Sequence, residues 1–404
     1  MKIRAALFLT VSIILPGLLN AQWLNRFNGQ GDFSDRFTSV ITDAVGNIFL
    51  SGSTVNPGTN RDLLLVKLNS NGDTLWTSKY NGLGDGPDEA LAMCMDISGN
   101  IYTTGFQKGP GTGNDFITIK YNASGIIQWT ASYNYSSNES DQSNSVIADA
   151  NGNVYIVGQS DSDPSINNND DYVLIKYNSG GVEQWALRIN GFGNATDRPT
   201  KILLAPNGNV VVTGRSNNGN DDDYMTTEYT PAGSQVWLQL YDRQNTDRAT
   251  DMAIDPVSGN IYVCGRSDNG NDYDFATVCY NSSGIQQWDS FYDNVGDDRA
   301  TFIGLDGGGN IFVTGHSDID ASNSFNYDIT TVKYNSSGIQ QWVQTWSGSA
   351  LNDESPGGFF VDAAGNSFVT GISDTDPGAG ISNDYVIIKY NSSGVQQWAS
   401  TFNS

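Results

Sequence analysis

The stretch that decides the fold runs from residue 258 to residue 292 and consists of apolar runs separated by short polar breaks. It reads SGNIYVCG (258–265), a polar loop, DFATVCY (274–280), the turn NSSG (281–284) and IQQWDSFY (285–292). The runs are rich in β-branched and aromatic residues, which favour strands over helices, and the breaks hold the Gly, Asn and Ser of tight turns. The stretch therefore predicts three short strands joined by polar turns.

The same pattern occurs seven times along the chain. A Gly-Asn pair is followed six residues after its glycine by a second glycine, and the second glycines are spaced 53, 53, 56, 51, 50 and 56 residues apart. An aspartate that opens an apolar run comes next, and then a tryptophan. The second glycines are Gly52, Gly105, Gly158, Gly214, Gly265, Gly315 and Gly371, and the tryptophans are Trp76, Trp129, Trp185, Trp237, Trp288, Trp342 and Trp398. This constant order and period indicate a structural repeat.

Each unit contains four predicted strands, named a to d in chain order. Strand a follows an Asp-Arg-like pair (248–255), strand b is the Gly-Asn-Ile-Tyr-Val run, strand c begins at the aspartate (171–177), and strand d holds the tryptophan. Strands b and c are apolar on both faces, so both faces must be covered. Four-stranded sheets repeated around an axis make a propeller. The predicted fold is all-β, a seven-bladed β-propeller of four-stranded antiparallel blades, forming a single domain over residues 22–404.

The repeat resembles a known bacterial family. Gly-Asn-Ile-Tyr-Val-Thr-Gly, then Asp-Tyr-x-x-x-Lys-Tyr-Asn, then Ser-Gly-x-x-x-Trp is similar to the bacterial SBBP (seven-bladed β-propeller) repeat, and the delta-60 repeat is close in pattern. The resemblance covers nearly all of residues 22–404. It implies the propeller fold and a surface or secreted setting, and it implies no reaction.

The N-terminus predicts export. Residues 1–21 combine a basic start, the apolar run 5–15 and a small-residue cleavage site, which is typical of a signal peptide. We therefore expect a protein secreted or held at the surface of a bacterium, with the periplasm as the alternative. No later run approaches the roughly 20 apolar residues of a membrane span, so membrane insertion is not expected. Two strand-d-like copies compete for the outer edge of blade 7, at 22–28 and at 395–402. The tight turn before 395–402 favours this last strand, and residues 22–28 would then lie beyond it or against it.

Charge and cysteine content restrict the partners. Residues 1–21 carry two basic residues and no acid, so their removal takes the net charge from −24 to −26. This charge disfavours nucleic acid and anionic membranes as partners. The three cysteines argue against a disulfide framework. If Gly265 lies opposite Phe275, Cys264 faces Ala276, and Cys264 and Cys279 are expected to be free buried thiols.

The acidic residues are distributed unevenly. In a propeller the d–a and b–c loops share one face, and they contain 33 of the 44 acidic residues. Such a face attracts cationic partners or divalent cations, or it only keeps the protein soluble. Carboxylates two residues apart suit a hard cation, so possible Ca²⁺ ligands are Asp161, Asp163, Asp318, Asp320, Asp374 and Asp376. None of these pairs lies in an EF-hand loop.

Positions that vary among the units are the better candidates for binding. The residue after the second glycine is Arg215, Arg266 and His316 in three successive units. These side chains could bind a carboxylate or a glycan, and equally they could pair with the surrounding acids, which the acidic loops favour. Trp346 replaces the tyrosine that starts most d–a loops, and it could stack on a sugar or fill a gap.

The sequence supports two functions. The first is a monomeric, non-catalytic binding or scaffold module that contacts an unknown protein or glycan through its acidic loop face. The alternative is an extracellular carbohydrate-active hydrolase or lyase that uses acids unique to one blade on the same face. His316 is the only histidine, which excludes a histidine-rich metal site, and no catalytic motif is present.

Overall fold

The computed structural model describes residues 27, 34–55, 60–84, 86–111, 113–135, 140–161, 170–191, 193, 195–318, 326–348, 353–374 and 383–402. Within these ranges the regular structure consists of β-strands, and none of it is helical. The described residues accordingly include no apolar helix long enough to cross a membrane. The predicted signal peptide lies outside them, as does the strand-d-like copy apart from Phe27.

Blades 1 to 4 are built from sixteen consecutive strands. Their bounds are β1 Asp35–Thr42, β2 Ile48–Val55, β3 Arg61–Leu68, β4 Thr74–Tyr80, β5 Glu89–Met95, β6 Ile101–Lys108, β7 Asn114–Tyr121, β8 Ile127–Tyr133, β9 Asp141–Ala148, β10 Val154–Asp161, β11 Asp170–Tyr177, β12 Glu183–Ile189, β13 Asp197–Leu204, β14 Val210–Asn217, β15 Asp222–Tyr229 and β16 Gln235–Tyr241.

Blades 5 to 7 follow with twelve more strands. Their bounds are β17 Asp247–Ile254, β18 Ile261–Asp268, β19 Tyr273–Tyr280, β20 Gln286–Tyr292, β21 Asp298–Leu305, β22 Ile311–Asp318, β23 Tyr327–Tyr334, β24 Gln340–Trp346, β25 Ser355–Val361, β26 Ser367–Asp374, β27 Asn383–Tyr390 and β28 Gln396–Phe402.

Each blade is a sheet of four strands that pair in chain order. The pairs are antiparallel, as between β17, β18, β19 and β20. The fold class is therefore the predicted seven-bladed β-propeller of four-stranded antiparallel blades. The C-terminal strand β28 pairs with β27, which confirms the expected place of residues 395–402.

Two compact units make up the chain. One contains residues 1–190 and 196–202, and the other contains residues 191–195 and 203–404. Blades 1 to 3 belong to the first unit, whereas β14 to β28 belong to the second. Arg215, Arg266, His316 and Trp346 all lie in the second unit.

In six of the seven repeats the second glycine, on strand b, lies close against the backbone of strand a. The pairing of β17 with β18 slips by one residue between Ala249 and Asp251, which is a β-bulge. Opposite the bulge, a Cβ on Gly265 would collide with the carbonyl oxygen of Arg248. The bulged residue Thr250 donates from Oγ1 to the carbonyl oxygen of Ala300 at 3.0 Å, so the bulge also connects blade 5 to blade 6.

Five of the repeated tryptophans pack against the c–d turn glycine of the following blade, namely Trp76, Trp129, Trp237, Trp288 and Trp342. A Cβ on Gly338, in the c–d turn of blade 6, would lie 2.7 Å from the ring of Trp288 in blade 5. Trp288 also donates from Nε1 to the carbonyl oxygen of Ser336 in the same turn, at 3.1 Å. Gly338 has φ +78°, a conformation that glycine adopts without strain. The tryptophan and the turn glycine therefore form one inter-blade contact.

The repeated Asn-Ser-Ser-Gly turns have a geometric explanation. In the turn between β19 and β20, Oδ1 of Asn281 accepts hydrogen bonds from the backbone N–H groups of Ser283 and Ile285, at 2.9 and 3.0 Å. Asn335 and Asn391 make the same pair of bonds in their turns. An asparagine that closes its own turn in this way explains its recurrence as local structure.

The cysteines are free and buried, as predicted, but the predicted register of β18 against β19 is wrong by one residue. Gly265 pairs with Ala276, so Cys264 lies opposite Thr277 and not Ala276. Burial raises the pKa of Cys279 to about 12, which keeps its thiol protonated. Cys264 and Cys279 both belong to a core cluster that joins side chains of blades 5 and 6.

Candidate functional site

Each blade carries a short row of acids at one end of its sheet. In blade 5, Asp247 of strand a pairs with Ser267 of strand b, and Ser267 pairs with Asp274 of strand c. The acids of this carboxylate row are almost completely buried. They are Asp35, Asp62, Asp88, Asp115, Asp141, Asp171, Asp197, Asp223, Asp247, Asp274, Asp298, Asp328, Glu354 and Asp384. Much of the acidity assigned to a face by the sequence is therefore inside the blades.

The acids of strand a hold the preceding loop in place. Asp247 Oδ2 accepts a hydrogen bond from the backbone N–H of Arg243 at 2.7 Å, and Asp298 Oδ2 accepts one from Asn294 at 2.7 Å. Asp141 Oδ2 accepts from Tyr135 at 3.0 Å. The repeated acids thus bond to neighbouring backbone, which is a structural task common to the blades.

Burial makes several of these carboxyl groups hard to ionise. It raises the pKa of Asp141, Asp223 and Asp247 to about 6, and that of Asp298 to about 7. Burial, together with the neighbouring carboxyl of Asp328, raises the pKa of Glu354 to about 8. Charged groups are disfavoured where water is excluded, so part of this row is protonated near neutral pH.

The acids that could hold a metal ion differ from those expected. Asp163, Asp320, Asp376 and the side chain of Asp374 lie outside the described residues, whereas Asp161 and Asp318 end β10 and β22. Among the described residues, carboxylate oxygens lie within 4.8 Å of one another in two clusters: Asp223, Asp242 and Asp247, and Asp272, Asp274 and Asp293.

The first of these clusters is the better cation site. In the second, Asp274 already forms an ion pair with Arg243. Asp223, Asp242 and Asp247 come from strand c of blade 4, the d–a loop and strand a of blade 5. A cluster drawn from three separate segments produces no local spacing motif, which is why the sequence did not reveal it.

Arg215 is neutralised within its own blade. Its Nη1 lies 2.8 Å from Oδ2 of Asp222, the first residue of strand c. Arg248, in strand a of blade 5, contacts the same oxygen at 2.5 Å. For Arg215 the structure therefore supports the second of the two expected roles, pairing with a surrounding acid.

Arg266 occupies the equivalent position in blade 5 without such a partner. The register that pairs Asn217 with Asp222 in blade 4 pairs Asp268 with Tyr273 in blade 5, so Tyr273 replaces the aspartate. The guanidinium carbon of Arg266 lies 4.7 Å from the centre of the Tyr273 ring. Its Nε is buried and has no hydrogen-bond partner, and no acid of the described chain forms an ion pair with Arg266.

Arg299 and His316 extend this arrangement into blade 6. Arg299 pairs with Asp297 at 2.6 Å, and its guanidinium carbon lies 5.4 Å from the Tyr273 ring centre and 5.7 Å from that of Tyr327. The His316 ring meets the Tyr327 ring edge-on at 4.8 Å between centres. We name this set the arginine–tyrosine cluster; its members are Arg248, Arg266, Tyr273, Arg299, His316 and Tyr327.

His316 is neutral in this environment. Burial, followed by the charges of Arg299 and Arg266, lowers the pKa of His316 to about 4. Its Nδ1 is buried and has no hydrogen-bond partner. A neutral imidazole with this pKa is a weak general base, because its protonated form gives up the proton readily at neutral pH.

Trp346 fills a gap between blades. It is half-buried and packs against a core cluster that includes Ile329, Val369 and Ile388. Of the two roles expected for it, this placement favours packing over stacking on a sugar. The sequence singled out Arg215, Arg266 and His316, but it did not indicate that Arg248, Arg299, Tyr273 and Tyr327 lie beside them. The signal was present in the residue before the strand-c aspartate, which changes from Asp in blades 3 and 4 to Tyr in blades 5 and 6.

Comparisons with known proteins leave the function open. No protein-family model matches the chain, and no curated protein matches it. Solved structures that are similar include a eukaryotic initiation factor, with 9% identity, TM-score 0.45 and coverage of 94% of this chain and 91% of that one. A second is the Pseudomonas aeruginosa periplasmic gluconolactonase PpgL, with 11% identity, TM-score 0.49 and coverage of 80% and 91%. A third is Sqt1 from Chaetomium thermophilum, with 9% identity, TM-score 0.46 and coverage of 92% and 96%.

Proposed function

We propose that this chain is a non-catalytic binding module, and that its binding surface lies at the carboxylate-row end of blades 4 to 6. The observation that carries the proposal is the arginine–tyrosine cluster. The chain has a net charge of −24, yet this cluster brings together three arginines, two tyrosines and a histidine. Aromatic and arginine side chains supply much of the energy at binding sites, because they combine apolar area with directional hydrogen bonds.

Departure from the repeat supports the same surface. The buried acids recur along the chain and hold loops, so they serve what the blades share. The tyrosines at 273 and 327 replace the aspartate of blades 3 and 4, and they leave charged and polar groups without internal partners. The acids that hold the loops are kept in these blades, while the residue before the strand-c aspartate differs. This residue can therefore serve ligand binding without disturbing the framework.

The setting and the partner belong to the same proposal. The SBBP-like repeat and the apolar N-terminus support a bacterial protein that is secreted, held at the cell surface or periplasmic. The acidic d–a loops, which include the exposed Asp242, Asp293 and Asp353, border the cluster. We infer a monomer that binds a protein or glycan, and both the cationic cluster and the acidic loops at this end of the blades are available to contact it.

A carbohydrate-active enzyme remains the second candidate, and one observation bears on it. Glu354, with its raised pKa, has the protonation state of a glycosidase acid at neutral pH. Its side chain has 0% exposure, however, and it occupies a position that carries an acid in each blade. A carboxyl group enclosed by the framework cannot reach a glycosidic oxygen, so binding without catalysis is the better proposal.

An array experiment tests the proposed function. Residues 22–404 would be applied to arrayed glycans and peptides, alongside the double variant Arg266→Gln/Arg299→Gln and the control Gln287→Ala, which alters an exposed residue of strand β20. We expect compounds that bind the wild type and the control but lose at least tenfold in affinity for the double variant. Absence of any bound compound, or equal binding to all three proteins, would contradict the proposal.

Calcium stays a prediction from the sequence. The cluster of Asp223, Asp242 and Asp247 offers the oxygen ligands that calcium prefers. Melting of the protein with and without calcium tests this prediction. A higher midpoint that Asp242→Asn abolishes would support it, and an unchanged midpoint would remove the metal from the account.

A further inference from the structure

We infer that Arg266 binds a carboxylate group supplied by a ligand, at the place where blade 4 supplies an aspartate of its own. The inference rests on the proposed binding surface and names the chemistry of its ligand. It starts from two equivalent arginines of the repeat, of which one has an internal counter-ion and the other has none.

The first step compares the two arginines. Arg215 and Arg266 both follow the second glycine of their repeat, and each lies two residues before the strand-b residue that pairs with the first residue of strand c. In blade 4 that residue is Asp222, which lies 2.8 Å from Arg215. In blade 5 it is Tyr273, whose ring face is 4.7 Å from the guanidinium of Arg266. A ring satisfies the flat face of a guanidinium and leaves the N–H groups at its edge available.

The second step concerns charge balance around Arg266. Arg215 and Arg248 share Asp222, and Arg299 has Asp297. Asp268, two residues along β18, accepts a hydrogen bond from the backbone N–H of Gly270 at 2.7 Å and serves its own turn. Burial, followed by repulsion from Arg248 and Arg299, lowers the pKa of Arg266. Because two of the neighbouring arginines share one carboxylate and Arg266 has none, positive charge is in excess around its guanidinium, and an added anion would relieve the repulsion.

The third step identifies the anion. A guanidinium fork matches the two oxygens of a carboxylate and binds them with two parallel hydrogen bonds. Asp242, Asp293 and the remaining acids of the d–a loops lie at the same end of the blades, and their field penalises a doubly charged phosphate more than a singly charged carboxylate. Tyr273 restricts the guanidinium before the ligand arrives, which reduces the entropy lost on binding. The structure therefore favours a carboxylic acid, either a simple organic acid or a sugar acid.

The test is a thermal melt with carboxylate and matched salt. The midpoint of residues 22–404 would be measured in sodium acetate and in sodium chloride at equal ionic strength, and then in sodium glucuronate against glucose with sodium chloride. We expect a saturable rise with acetate or glucuronate beyond that of the control, because a ligand that binds only the folded state stabilises it. A response to glucuronate alone would identify the sugar acid as the source of the carboxylate.

Two variants make the test specific to the site. Arg266→Gln should lose the carboxylate-dependent rise, and Tyr273→Asp should lose it as well, because the introduced aspartate occupies the position of the ligand. The matched control is Arg198→Gln, which removes an arginine that pairs with Asp170 at 3.1 Å, and it should retain the rise. Equal midpoints in carboxylate and chloride, or a rise that persists in Arg266→Gln, overturn the inference. If either variant fails to fold, acetate titration of the wild type followed by the arginine Nε–H signals in NMR decides the question.

The outcome is separable from that of the proposed function. Suppose that the protein binds an arrayed compound through Arg266 and Arg299, but that carboxylate does not raise its melting midpoint. The proposed binding function then stands, and the inference of a carboxylate ligand fails. If carboxylate raises the melting midpoint through Arg266 but no arrayed compound binds, the anion site stands and the proposed binding function fails.

Discussion

Blade 4 and blade 5 have the same strands, register and framework acids, and they differ in how one arginine is satisfied. In blade 4 the guanidinium of Arg215 meets Asp222, whereas in blade 5 the guanidinium of Arg266 lies against Tyr273. The residue before the strand-c aspartate decides this difference, because it is Asp in blade 4 and Tyr in blade 5. The comparison teaches that the recurring residues explain the fold, and that one changed residue gives equivalent arginines different partners.

The largest effect should come from the recurring acids and should depend on pH. Glu354 has a pKa of about 8 in the folded protein, against about 4.3 in an unfolded chain, so between these values the folded state holds a proton that the unfolded state has released. The free energy of unfolding should therefore fall as pH rises from about 4.3 to 8. Raised pKa values at Asp141, Asp247 and Asp298 act in the same direction.

Denaturant unfolding at several pH values checks this prediction. Glu354→Gln should flatten the decline in stability between pH 5 and 8, because the amide cannot ionise. Asp353→Asn, which alters the exposed neighbour, is the matched control and should leave the decline unchanged. Stability that rises with pH over this range would show that the acids of the carboxylate row are ionised in the folded protein and that burial does not raise their pKa values.

A recurring contact between blades should cost several kcal/mol when it is disturbed. Gly338→Ala forces a side chain into positive φ, which costs about 1–2 kcal/mol, and it pushes a methyl group against Trp288, which costs about 1–3 kcal/mol more. Gly208→Ala, at φ +84° with open space around it, should lose only the first amount. Denaturant unfolding measures both losses of stability. Equal losses in the two variants would show that the Trp288 ring moves aside and accommodates the methyl group without cost.

A smaller loss should follow when blade 4 is made to resemble blade 5 in charge. Asp222→Asn removes the carboxylate shared by Arg215 and Arg248, and it should cost about 1–2 kcal/mol, because both guanidiniums keep some solvent exposure. The matched change Asp221→Asn, at the half-buried preceding residue, should cost less. An Asp222→Asn protein as stable as the wild type would show that the ion pairs of Asp222 with Arg215 and Arg248 contribute nothing to stability.

The smallest effect on stability should come from making blade 5 resemble blade 4. Tyr273→Asp exchanges two ring–guanidinium contacts for an ion pair, and these contributions nearly cancel, so the free energy of unfolding should change by less than about 1 kcal/mol. Circular dichroism during thermal melting measures the change. A large loss of stability would show that the Tyr273 ring holds blades 5 and 6 together. The lack of a counter-ion at Arg266 would then be a consequence of this packing and not a feature of a binding site.

Much of the fold was predictable from the sequence. The seven copies, the four strands of each and the edge position of β28 follow from the order of glycines, aspartates and tryptophans. The register of β18 against β19 was off by one residue, because the polar loop between Asp268 and Tyr273 does not restrain the pairing as a tight turn would.

The site was predictable only in part. Arg215, Arg266 and His316 stand out because they vary at one position of the repeat, but the sequence alone does not show which of them has a counter-ion. Asp222 and Arg248 come from different blades and meet only in three dimensions. Burial of the acids was missed for a related reason: a carboxylate at a strand end looks like a loop residue until the neighbouring blade covers it.

The most direct measurement is an acetate titration followed by the arginine Nε–H signals in NMR spectra of the wild type and the Asp222→Asn variant. In the wild type, the Arg266 signal should move and saturate, while the signals of Arg215 and Arg248 stay in place. In Asp222→Asn, the signals of Arg215 and Arg248 should move as well, because blade 4 then also lacks its internal carboxylate. An Arg266 signal that does not respond to acetate, or arginine signals that drift together without saturation, would contradict the account.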